Sequence, residues 1–159
     1  MIVSIHQPNF FPWMGYFDKI NRSDVFVLLT SSTRSKNDKY LTRTKILNNN
    51  STSQYLSIPL GTKQIPINHL KMPIDKTWKQ KSLNRIQESY RNANFFDEVY
   101  DDIERLFMFE SEQFSDYSAN IINFFITKFN IDTKLYVDTS FNQDLSSKDI
   151  DKVIEVVSG

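Results

Sequence analysis

His6, Gln7 and Asn9 lie close together near the amino terminus, with Trp13 and Tyr16 just beyond them. An imidazole titrates near neutral pH, so it can move a proton or meet a phosphate. The amides of Gln7 and Asn9 offer donors and acceptors of the kind that recognise hydroxyls and carboxylates, or that satisfy a loop backbone. Trp13 and Tyr16 could form an apolar wall for a sugar or a base. Aromatics at helical spacing also build cores, and Trp13 is weighed toward that role. Gly15 stands inside the same segment, where a helix position costs ~1 kcal/mol relative to alanine and calls for a packing or ligand reason.

Cations follow. Residues 34–45 hold five Lys and Arg against one acid, Asp38. Arg43 is suited to a bidentate grip on a phosphate or carboxylate. Lys36 and Lys45 flank it, and Trp78 with Lys81 forms a weaker second pair. His6 and Arg43 are therefore the catalytic candidates. Gln7, Asn9, Trp13, Tyr16, Lys36, Lys45, Trp78 and Lys81 are the substrate-binding candidates.

Several chemistries are excluded. The chain has no cysteine, so disulfides, thiolate metal sites and a cysteine nucleophile are out. It has two histidines, His6 and His69, at no metal-binding spacing, and no protein metal site is expected. Three glycines form neither a Walker loop nor a dinucleotide fingerprint. No apolar run reaches the ~20 residues of a membrane span, and no leader is visible. The composition fits a reducing cytoplasm.

The elements that must position these residues can be read from periodicity. Ile2 to Ile5 is a β-branched run, an expected first strand. Gln7 to Pro12, with two prolines, is an irregular loop. Trp13 to Asn21 has helical spacing, with Pro12 suited to its first turn. Val25 to Leu29 is a second strand. Strand, helix and strand form a βαβ unit, which builds parallel sheets. His6 then falls at the carboxyl end of a strand, the edge where open α/β sheets bind ligands.

Thr30 to Lys39 reads as a polar loop, Tyr40 to Leu47 as a strand or extended segment, and Asn48 to Ser53 as a turn. Gln54 to Leu60 is a third strand, with one more short strand expected in Gly61 to Lys71. Helices are expected over Thr77–Tyr90, over Phe95–Phe109 capped by Asn94, and over 111–129. A strand at Thr133–Val137 and a helix starting at Ser146 or Ser147 and ending near Val157 complete the reading. Asp97, Glu98, Asp101, Asp102 and Glu104 form a solvated helix face. The expected fold is one α/β domain over 1–159: an open, mainly parallel sheet begun by a βαβ unit, with a helix-rich second half. Residues 1–75 are strand-rich and basic, 76–159 helix-rich and acidic, and the domain reads as incomplete at its C-terminus.

The formal net charge is zero, yet residues 1–92 carry 14 Lys and Arg against 5 Asp and Glu, and residues 93–159 carry 5 against 14. Opposite surfaces can attract within one fold or between subunits of a homo-oligomer. Alternatively, the basic part makes a cleft for a phosphorylated ligand. No basic amphipathic helix marks a nucleic-acid binder.

The stretch 2–28, IVSIHQPNFFPWMGYFDKINRSDVFVL, resembles the start of the WbqC-like family. The resemblance continues through Tyr40–Ile46, Tyr55–Leu60, Trp78–Leu83, Ser89–Ala93, Phe95-Phe96 and Asn130–Lys134. The family occurs among genes for bacterial surface polysaccharides, including O-antigen. Its members have been proposed to attach an amino acid, glycine in particular, to an amino sugar. The resemblance implies an aminoacyl or acyl transferase acting on a nucleotide-linked amino sugar, with a charged tRNA, a thioester or an ATP-activated acid as donor. Two features depart from the family pattern. Thr30 and Ser31 stand where an acidic pair is usual, and Ser82 where histidine is frequent. Relatives also run longer, with a further glycine-containing loop. These departures keep open a non-catalytic binding or assembly protein for nucleotide sugars. A strand, a histidine loop and a helix also begin adenylyl-transferring enzymes, by fold analogy alone. ATP with Mg2+ is the cofactor expectation from that analogy, although position 9 is Asn where such enzymes place a second histidine.

Overall fold

The computed structural model describes residues 1–35, 39–48, 50 and 52–140. Lys36 and the helix expected after Ser146 lie outside them. The chain opens with β1 (Val3–His6), α1 (Met14–Asn21) and β2 (Val25–Leu28). A hairpin follows, β3 (Arg43–Leu47) with β4 (Ser53–Ser57), and then three helices, α2 (Thr77–Tyr90), α3 (Phe96–Met108) and α4 (Phe114–Lys128). The last strand is β5 (Lys134–Val137).

The first sheet has the order β1-β2-β5, parallel throughout. Its central strand β2, Val-Phe-Val-Leu, is buried at every position, as a two-sided parallel strand requires. Phe26 and Leu28 meet Tyr16, Phe17 and Ile20 of α1 and Ile122 and Ile126 of α4. The other side of α4, through Phe114, Tyr117 and Ile121, enters a second cluster with Phe10, Trp78, Leu83 and Phe107. One helix thus ties the sheet to the helical half.

The α4-to-β5 step is closed by a Schellman motif. Asn130 is left-handed at φ 53°. Its N–H donates to Thr127 O at 3.1 Å, and the Ile131 N–H reaches back to Ile126 O at 3.0 Å. The Thr133 hydroxyl then lies 2.9 Å from both Ile20 O and Ser23 O, at the end of α1. Lys79 of α2 does similar work for α3. Its buried ammonium donates to Phe109 O at 2.8 Å, where the helix carbonyls end. Burial draws that ammonium below its usual range, against the opposing pull of Glu110.

The structure corrects some sequence expectations. Gly61 to Lys71 holds no strand; Ile67–His69 is a 3-10 turn, joined to the polar loop by Ile67 N–H to Ser32 O and Asn68 N–H to Thr30 O. Pro12 precedes α1 by two positions, because Trp13 occupies the cap. Asn94 does not cap α3, since Phe95 stands there without a side-chain bond. The third expected strand is present as β4, which ends at Ser57 and pairs antiparallel with β3 in a separate two-stranded sheet.

The strand ends are tied together by Asp138, which follows β5 and is buried. Its carboxylate accepts from Thr30 N–H at 2.7 Å and Thr30 Oγ1 at 2.5 Å. It also accepts from Ser31 N–H at 2.9 Å and from the Ser31 hydroxyl. Burial pushes this carboxyl up, but the Ser31 and Thr30 donors outweigh it and hold it below the usual carboxylate range. A carboxyl depressed on folding contributes stability that is full above the unfolded value of about 3.9. That contribution is lost as pH falls through the folded value. Asp138→Asn should therefore lower stability by about 2–3 kcal/mol at pH 7. In urea titrations the gap to the parent should persist to about pH 4 and close below it. A gap independent of pH would deny the carboxylate its role.

Candidate functional site

The segment from Gln7 to Trp13 has no regular structure, yet it is fixed along its whole length. Gln7 Nε2 donates to Ser32 Oγ at 2.8 Å, and Tyr16 OH donates to Gln7 O at 3.0 Å. Ser118 of α4 donates its hydroxyl to Asn9 O at 2.8 Å. Phe10 N–H donates to Leu41 O at 3.0 Å, and Thr44 Oγ1 donates to Phe11 O at 2.9 Å. The Phe10 side chain is the plug, with ring neighbours Trp78, Phe107 and Tyr117. Phe11 is held at φ 44°, in the left-handed region. For an aromatic residue that conformation costs of order 1–3 kcal/mol. Its ring stacks on Phe107 at 4.9 Å, which helps to offset the cost.

Against this segment lies a cleft of about 520 Å3, lined by Asn9, Phe10, Phe11, Pro12, Trp13, Met14, Tyr40, Arg43, Thr44 and Lys45. It carries two cations and no carboxylate among the described residues. Arg43 and Lys45 are two apart on β3, so they share a face. Tyr55 pairs with Lys45 across the hairpin. The Arg43 guanidinium sits 4.8 Å from the Tyr55 ring centre and the Lys45 ammonium 5.5 Å. Arg43 Nε also donates to Lys39 O at 2.7 Å. The cations are thus held by a shared aromatic platform.

Trp13 and Tyr40 form an aromatic pair in the lining, with ring centres 6.0 Å apart. Trp13 is 54% exposed, so its weighting toward the core is corrected. The indole lies over the first turn of α1, where a β-carbon on Gly15 would come within 2.5 Å of its Nε1. That contact supplies the packing reason for Gly15.

His6 ends β1 and stands beside the cleft rather than in its lining. Its ring centre is 6.3 Å from that of Trp13 and 5.0 Å from that of Tyr16. Nδ1 lies 3.0 Å from Gln7 O. In the tautomer that makes this bond, Nδ1 holds the proton and Nε2 carries the lone pair.

The structure therefore brings Asn9, Trp13, Arg43 and Lys45 into one cavity, with His6 and Gln7 adjoining. Tyr16 is buried at 1% exposure and acts as a brace, its phenol pushed far up by burial. Trp78 is buried in the core and Lys81 lies on an exposed face of α2; neither lines the cleft. Ser82, beside Lys81, is also buried. Tyr40, Met14 and the Tyr55 platform are additional to the sequence candidates. The period-two spacing of Arg43 and Lys45 opposite an aromatic strand was the available signal. Among the described residues, no group of three or more His, Asp or Glu could hold a metal ion. Among the same residues, no helix is long and apolar enough to cross a membrane.

A parallel α/β sheet with a cationic, aromatic-walled cleft beside its first strand is the class that fold and site define. Residues 7–158, nearly the whole chain, match the model of the WbqC-like protein family, and the chain belongs to that family. No curated protein and no solved structure matches it.

Gly15→Ala tests how the cleft wall is built. The added methyl should displace the Trp13 indole and increase acrylamide quenching of tryptophan fluorescence. Stability should be unchanged or rise by up to about 1 kcal/mol, as expected for Gly to Ala in a helix. Unchanged quenching would show that Trp13 does not lean on Gly15.

Proposed function

We propose that this protein transfers an amino acid such as glycine, or another acyl group, to the amine of a nucleotide-linked amino sugar for a surface polysaccharide. The proposed setting is the cytoplasm. The observation that carries the reading is the cleft, which combines paired cations on an aromatic platform with an exposed tryptophan. Cations at this spacing suit a diphosphate, and the indole suits the face of a sugar or base. Family membership supports the same direction.

In this reading Arg43 and Lys45 hold the diphosphate. Asn9 and Gln7 orient sugar hydroxyls. His6 Nε2 takes a proton from the sugar ammonium, and the freed amine attacks the activated carbonyl. A new C–N bond forms as the bond to the leaving group breaks, and the second nitrogen proton leaves with that group or to solvent. If the donor is activated by ATP, Mg2+ would ride on its phosphates.

Nucleotide-sugar binding without turnover is a second reading, and Thr30 and Ser31 favour it. Both hydroxyls are committed to Asp138, at the position where the family resemblance leads one to expect acidic side chains.

His6→Ala should lower kcat by about 100-fold or more while leaving the melting temperature unchanged. Arg43→Ala should instead raise KM for the nucleotide sugar by roughly 10- to 100-fold, the loss of a charge-assisted pair. Mass spectrometry of the product checks both. Full activity in His6→Ala would sink the transferase mechanism. Stabilisation of the parent by nucleotide sugar with no product from any donor would leave the binding reading.

A further inference from the structure

A second cavity of about 320 Å3 lies between the hairpin and the α2–α3 pair. It shares Phe11, Pro12, Thr44 and Lys45 with the cationic cleft, so the two adjoin. Beyond that junction its walls change character. They include Ile46, Ile86, Tyr90, Val99, Tyr100 and Ile103. Tyr90 accepts the Leu47 N–H on its hydroxyl at 3.0 Å, which turns its polar atom to the hairpin and leaves its ring to the groove. Val99, apolar like most of this wall, is 42% exposed. Hydrocarbon left open beside a cation invites an amphipathic ligand.

We infer that this groove seats the hydrocarbon tail of an acyl group whose anionic, phosphate-bearing head lies against Lys45, at the junction where one ammonium faces both this head and the diphosphate gripped by Arg43. The ligand class is an acyl–phosphate mixed anhydride, with its acyl chain in the groove. The inference rests on the proposed acyl transfer and deepens it by naming the acyl substituent. Size and charge select this occupant. At about 30 Å3 for each small group, the cavity holds roughly ten methylenes. A glycyl group would leave it empty, and a long polyisoprenoid would overflow it. Among the described residues Lys45 is the one lining cation of the groove, and it stands at the junction, where a head directly joined to a tail would fall.

The test uses the full chain and n-alkyl phosphates from ethyl to dodecyl, with inorganic phosphate as the headgroup alone. Titration calorimetry should show affinity rising by up to about fourfold per methylene. The rise should level off near ten carbons. Val99→Asp places a charge on an exposed position of the wall, and it should flatten the rise measured from ethyl phosphate upward. Val99→Leu should keep the rise. Lys45→Met should weaken every member by a similar factor and preserve the increment.

A series with no dependence on chain length would overturn the proposal. Equal binding of uncharged decanoyl pantetheine would overturn the role of Lys45. Tighter binding of farnesyl phosphate than of any straight chain would assign the groove to an isoprenoid instead. Dimerisation that Val99→Asp abolishes would assign it to a second copy. Failure here is separable from failure of the proposed function. Glycine transfer with a flat alkyl series refutes only the groove, whereas a steep series with no transfer to any nucleotide sugar refutes only the reaction.

Discussion

The burial of Phe10 among Trp78, Phe107 and Tyr117 is the interaction on which the rest of the site depends. It places a loop residue in the centre of the helical half. Removing a buried phenylalanine side chain typically costs about 3–5 kcal/mol, a large share of the 5–15 kcal/mol that holds most domains folded. The loop cannot leave without that loss. Its backbone is then free to serve other ends, and four neighbouring segments bind it: α1, the approach to β3, β3 itself and α4. The cleft wall is rigid for this reason although it has no regular structure. Preorganisation of this kind spares a ligand the cost of ordering the wall.

Strain and charge are arranged around the same anchor. Phe11 adopts a left-handed backbone next to the plug, and this turn lets consecutive aromatic side chains serve two places. Phe10 fills the core, while Phe11 lines both the cationic cleft and the apolar groove. At the sheet edge, the Asp138 carboxylate joins the ends of β2 and β5, and Gln7 joins the end of β1 to Ser32. All three parallel strands are therefore tied on the side that His6 occupies.

Much of the framework was legible in the sequence, because it rests on periodicity. The βαβ unit, the buried central strand and the three long helices follow from apolar spacing that local rules capture. The α4-to-β5 step was visible in the residues, though its Schellman geometry was not. What escaped depends on contacts far apart in the chain. The 3-10 turn at Ile67–His69 is held by the loop at Thr30 and Ser32. β4 belongs to a hairpin because it pairs with β3 in register, which its composition alone does not reveal. In the site, Arg43 and Lys45 could be picked from charge, but Tyr55 becomes their support only through the β3–β4 register, which the period-two spacing hints at and does not fix. Trp13 has the helical spacing of a core residue, and only its place at the cap turns it outward. Tyr16 and Trp78 have the residue types of ligand contacts, and packing assigned them to the interior.

In the proposed function the loop anchored by Phe10 forms one wall of a nucleotide-sugar site and β3 supplies the opposing cations. A crystal structure of the chain with a nucleoside-diphosphate amino sugar tests it most directly. The diphosphate is expected against Arg43 and Lys45, with the sugar or base on the Trp13 indole and no movement of Phe10. A ligand bound at full occupancy elsewhere on the molecule, with the cleft filled only by solvent, would contradict it.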